Sequence, residues 1–131
     1  IFVNGAHIGG FDDMVALDWL GRNLSSQEVV GIATEPLQLG REPQPGQDAP
    51  IDAGAWVSPL TGLNVAPLRH DMDLGGQAAL AELCQRGVRY LYVGGSGRGF
   101  DASQLRKQTW SFTARLLLPG AAIFEIVDCN G

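Results

Sequence analysis

Apolar residues recur along this chain in two spacings, one of helices and one of strands. Between residues 13 and 24, Met14, Leu17, Leu20 and Leu24 fall every three or four positions with Val15 and Trp19 beside them, while Asp18 and Arg22 take the opposite side. That is the stripe of an amphipathic helix, which Asp12 or Asp13 can cap. Residues 76–86 repeat the pattern with Ala79, Leu80, Leu83 and Cys84 on one face, and Gly87 followed by Val88 suits the left-handed residue and apolar contact that close a helix. A third helix is expected to start at Asp101, with Leu105, Thr109 and Phe112 spaced by four and three. Residues 53–60, around Trp56, predict one or two helical turns ended by Thr61-Gly62.

The short apolar runs between these segments read as strands. They cover residues 1–3, 28–34, 64–68 and 89–93; Pro67 suits an edge strand because proline cannot donate to a ladder, and Tyr90 and Tyr92 should point to one face. At the end, residues 114–118 and 121–127 flank Pro119-Gly120, which can be the tail of a helix followed by a strand or a pair of strands. The hairpin is favoured, because Pro-Gly is a strong turn signal and Ile123, Phe124, Ile126 and Val127 are strand formers. The repeated order of helix then strand predicts an α/β fold: a mostly parallel sheet with helices packed on it in Rossmann-like layers, closed by a C-terminal antiparallel hairpin.

Residues 35–50 break the pattern with four prolines (Pro36, Pro43, Pro45, Pro50), Gly40, Gly46 and several glutamines, and are expected to form a surface loop. The 131 residues, 45% of them apolar, suit a single domain over 1–131 that buries roughly two-thirds of the surface its unfolded chain exposes. The chain starts at Ile1 rather than methionine, from which we expect a piece of a longer protein whose other parts hold the activity. A net charge of −5, with nine Lys and Arg scattered, makes nucleic acid and anionic membrane surfaces poor partners. No apolar run approaches the roughly 20 residues of a membrane span, so this domain is not expected to be membrane-inserted. Cys84 and Cys129 form neither a CxxC nor a zinc pattern; Cys84, on the apolar face of its helix, reads as a buried thiol, with a Cys84–Cys129 disulfide as the alternative.

Candidate chemistry is sparse. Gly94-Gly95-Ser96-Gly97-Arg98-Gly99 lies between a strand and a helix, where a phosphate loop would lie, but Phe100 replaces the small residue a dinucleotide fingerprint needs and no Gly-Lys-Ser/Thr follows. Asp101 would also repel a phosphate at that helix start. His70, Asp71 and Asp73 bring an imidazole and two carboxylates together, with Asp52 as a further neighbour; a metal centre or an α/β enzyme of unknown activity would use them, and a solvated turn needs the same residues. Trp56 could stack on a sugar ring if exposed and would otherwise anchor the core. Trp19 and Trp110, both on helical patterns, read as core. No GxSxG elbow and no cysteine near a histidine supports nucleophilic catalysis, so no catalytic residue, metal or cofactor is assigned.

From about Asp13 onward the chain resembles the soluble C-terminal region of PMT-like, lipid-sugar-dependent membrane glycosyltransferases of the GT-C class. The residues that carry the resemblance are Ala16-Leu17-Asp18-Trp19-Leu20 with Asn23, the stretch from Asp52 through Trp56 to Gly62, residues 83–95, and the closing segment 119–127. The resemblance implies an extracytoplasmic domain beside a membrane-embedded enzyme, partnered by the transmembrane region of its own parent chain and by a glycan or protein acceptor. The acidic catalytic residues of that class belong to a loop among the membrane helices, so none maps onto this chain. Residues 1–13, with Gly9-Gly10-Phe11-Asp12-Asp13, are similar to the glutathione-binding end of glutaredoxins, which implies a small-ligand role for Gly9, Gly10 and Asp12. The redox CxxC of that family is absent, and without its thiolate a thioredoxin-type mechanism cannot run.

Overall fold

A computed structural model describes residues 2–3, 6–7, 10–39, 42–50, 53–94, 99–127 and 129; for 2–3, 6–7, 36–39 and 42–49 the description is of the backbone alone. Two short strands, β1 (Phe2–Val3) and β2 (Ala6–His7), pair with each other in a separate antiparallel ribbon. Then come α1 (Phe11–Asn23), β3 (Val29–Leu39), β4 (Glu42–Pro50), a single 3-10 turn (Ala53–Trp56), α2 (Val57–Thr61) and β5 (Asn64–Arg69). The chain continues through α3 (Gln77–Gln85), β6 (Tyr90–Val93), α4 (Ala102–Arg106), β7 (Phe112–Leu117) and β8 (Ala122–Ile126).

Strand β3 organises the six-stranded main sheet. Its first half pairs in parallel with β5 on one side, Val29 opposite Asn64 to Thr34 opposite Arg69, and with β6 on the other at Val30 and Gly31. Beyond β6 the pairing turns antiparallel, β6 with β8 and β8 with β7. The fold is therefore α/β with a mixed sheet, parallel around β3 and antiparallel toward the C-terminal edge, rather than mostly parallel. The Pro119-Gly120 turn joins two strands as the hairpin reading expects, and β5, with Pro67, pairs only with β3 among the described residues, an edge position.

Two expectations are corrected. The proline-rich segment 35–50 is not a loop: the second half of β3 and all of β4 form an antiparallel arm, with a register shift between Pro36 and Leu37. Pro43, Pro45 and Pro50 lie on β4, at the end of the sheet order, and Pro36 lies on β3 beside the register shift; edges and bulges are where strands tolerate proline. The helix starting after Asp101 ends at Arg106, and Phe112 opens β7 instead of closing that helix. The Asp101 carboxylate accepts the Ser103 and Gln104 N–H groups as an N-cap, yet the Lys107 and Gln108 N–H groups reach carbonyls only three residues back, Gln104 at 3.3 Å and Leu105 at 3.1 Å, and the helix tightens and stops. By contrast α3 closes as the sequence predicts. Gly87 has φ 72°, its N–H donates to the Cys84 carbonyl, and the Val88 N–H reaches the Leu83 carbonyl at 2.9 Å.

Alternation along the strands splits the core between the two faces of the sheet. Val30, Ile32, Tyr90, Tyr92 and Ile123 pack with Ala16, Leu17 and Leu20 of α1 and Val57 of α2. Ala33, Leu91, Val93, Ala122 and Phe124 pack on the other face with Leu83 of α3 and Leu105 of α4. Tyr90 and Tyr92 do share a face. Gly31 sits between β5 and β6 where a Cβ would lie 2.5 Å from Leu68 Cδ1 and 2.8 Å from Leu91 Cδ2. Gly31→Val should therefore overpack the second core and cost about 1–3 kcal/mol, read as a lower denaturation midpoint at unchanged m-value. A variant as stable as the parent would show that Leu68 and Leu91 can move aside freely.

Candidate functional site

The residues singled out in the sequence lie in three separate places. At the start of α1, Gly10 is the exposed N-cap residue and its carbonyl accepts from the Met14 N–H. Gly9 lies outside the described residues. Neither aspartate is the N-cap. Asp12 Oδ2 accepts the Gly120 N–H at 2.7 Å and so ties the helix start to the β7–β8 turn. Asp13 accepts the Gly10 N–H at 3.1 Å and, from the far side of the core, the Tyr92 hydroxyl. Both carboxylates thus link the first helix to the sheet and its last turn.

The segment after β5 is a turn held by its own groups. The half-buried His70 donates its backbone N–H to the Thr34 carbonyl at 2.9 Å. Asp71 pairs with Arg69 (Oδ1 to Nε 3.2 Å), and the guanidinium hydrogen bond holds its carboxyl below the usual carboxylate range. Asp73 accepts the Gly75 N–H at 3.0 Å through Oδ1. Among the described residues no three His, Cys, Asp or Glu side chains gather to hold a metal ion. Asp52 and residues 95–98 of the glycine-rich turn lie outside the described residues. Trp56 is half-buried against the cluster under α1, so its ring is partly committed to packing.

Two features differ from the favoured sequence reading, the first by taking its alternative. Cys84 is not a free thiol: it forms a disulfide with Cys129, with Cα atoms 5.4 Å apart. That distance is within the range a disulfide requires, and the bond fastens α3 to the segment beyond β8. The other is Trp110, which is 69% exposed instead of buried. Its position follows from the early end of α4, since residues 107–111 form a turn in which the Ser111 N–H donates to the Gln108 carbonyl at 3.0 Å. The sequence did carry a signal, because the helical neighbours of Trp110 at three, four and seven positions before it are Lys107, Arg106 and Ser103, all polar.

Trp110 forms one rim of a small groove whose other side is the start of α3. Gly75, Gly76 and Gln77 face Gln108 and Ser111 across it, with buried Leu74 and Phe112 below. Gln108 is steadied by its own side chain, whose Nε2 donates to the Gln104 carbonyl at 3.3 Å. Gly75 makes room for these amides, since a Cβ there would lie 3.1 Å from Gln104 Nε2 and 3.6 Å from Gln108 Nε2. The lining residues carry no charge. A wider apolar depression of about 290 Å³ lies between α1 and α2, bordered by Met14, Leu60 and the Asp18–Arg22 ion pair.

No family model, curated protein or solved structure matches the chain. Among the described residues no helix is long and apolar enough to cross a membrane.

Proposed function

We propose that this chain is a non-catalytic accessory domain of a membrane-bound, glycosyltransferase-like protein, placed on the extracytoplasmic face, where it contributes to acceptor binding, assembly or stabilisation. The Cys84–Cys129 disulfide carries the extracytoplasmic part of this reading, and the sequence resemblance the rest. Such bonds persist in secreted, periplasmic and cell-surface proteins and are rare where glutathione and thioredoxin keep thiols reduced. In this reading the sheet, with α1 and α2 on one face and α3 and α4 on the other, is a reduced Rossmann-like layer. Its partners are the transmembrane region of its own parent chain and a glycan or protein acceptor.

In cells producing the native gene product, the domain should sediment with membranes and be cut by protease added from outside. Non-reducing peptide mapping should recover Cys84 and Cys129 linked. A cytosolic product with both thiols open to alkylation rules the proposal out.

A further inference from the structure

We infer that the groove between the start of α3 and Trp110 is a carbohydrate-binding site that takes a pyranose ring of a neutral oligosaccharide on the indole face. A pyranose presents two kinds of surface, a face of C–H groups and a rim of hydroxyls, and this groove offers a counterpart to each. The indole of Trp110, 69% exposed, supplies a flat apolar surface whose electron-rich face attracts C–H groups. Gln77 and Gln108 stand beside it, and each amide has both donors and an acceptor, as a sugar hydroxyl does. With a volume of about 90 Å³ the groove has room for hydroxyl groups of a ring that lies on its rim, not for a whole enclosed ligand.

The chemistry of the lining narrows the class further. The chain carries a net charge of −5, yet every residue lining this groove is uncharged. No cation lines it to pair with a phosphate or uronate, and the nearest carboxylate, Asp73 behind the rim, is engaged by the Gly75 N–H, so a neutral ligand fits best. Gln108 is held by the Gln104 carbonyl at 3.3 Å, and the amides of both residues occupy the space left open by Gly75. A polar group fixed before the ligand arrives loses less entropy when it binds. The inference extends the acceptor-binding part of the proposed function but is separable from it, because the groove is complete within this chain whether or not the protein is tethered to a membrane.

The test is a nuclear magnetic resonance titration of the 131-residue chain with cellotriose, maltotriose, mannotriose and chitotriose, following the Trp indole and Gln side-chain amide signals. At least one of the four should move the signals of Trp110, Gln77 and Gln108 together. Trp110→Ala should weaken that binding by about tenfold or more, equivalent to about 1.4 kcal/mol, and Trp110→Phe by less. Because Trp110 is largely exposed, both variants should melt with the parent, which separates lost binding from lost folding. The inference is overturned if none of the four sugars moves these signals, if Trp110→Ala binds as the parent does, or if a proline-rich peptide moves them and the sugars do not.

Discussion

Reducing the Cys84–Cys129 bond, or replacing Cys84 with serine, should lower the thermal midpoint by roughly 10–15 °C, through a loss of about 4 kcal/mol. The magnitude follows from chain entropy. The two cysteines are 45 positions apart, so the bond closes a long loop in the unfolded ensemble and removes much of its freedom. That loop runs from the end of α3 through β6, α4, β7 and β8, so the part of the unfolded chain that must recover the C-terminal side of the sheet is the part being restrained. Cys84 also packs partly against the core under α3, and serine there adds a polar group at a partly apolar site. Calorimetry with and without reductant measures the first effect, and Cys129→Ser isolates it, because Cys129 is exposed. Equal midpoints for oxidised, reduced and Cys129→Ser chains would show that the bond contributes nothing to stability.

Much of the fold was legible because local and global preferences agree along most of the chain. The α3 stripe, Gly87 and Val88 all demand one helix with one ending, and the structure provides both. Pro119-Gly120 between apolar runs likewise leaves little besides a turn. The reading failed where composition and tertiary pairing disagree. Four prolines in 35–50 argue against a ladder, yet three of them fall on the end strand and the fourth beside a register shift, where proline is tolerated. The apolar spacing of Leu105 and Phe112 fits a helix equally well as a short helix and a strand that meet the same core, and both residues are in fact in one cluster. The disulfide depends on two residues brought together from opposite ends of the C-terminal half, a distance no local pattern reports. Trp110 was missed with the end of its helix; once α4 stops at Arg106, the ring has no apolar stripe to join.

The Asp13→Ala change should cost about 2–4 kcal/mol, the second large effect, although position 13 is at the start of a surface helix. Asp13 is only 8% exposed and Tyr92 is fully buried, so their hydrogen bond runs through the core face between α1 and the sheet. The same carboxylate accepts the Gly10 N–H, closing the first turn of a helix whose glycine N-cap has no side chain to offer. Removing it breaks both links at once and leaves a small void beneath α1. A double-mutant cycle with Tyr92→Phe separates the two contributions. If the hydrogen bond to the ring hydroxyl carries a large part, the paired variant should lose about 1–2 kcal/mol less than the sum of the single ones. Strict additivity would place the whole effect in the helix start and remove the coupling across the core. The Gly10 N–H and the Tyr92 hydroxyl use different oxygens of Asp13, so Asp13→Asn keeps an acceptor for only one of them and should fall between the parent and the alanine variant. Asp12→Ala is the useful contrast: its half-buried carboxylate meets the Gly120 N–H at the turn, so its loss should cost less and loosen the β7–β8 turn locally, read by faster amide exchange at Gly120.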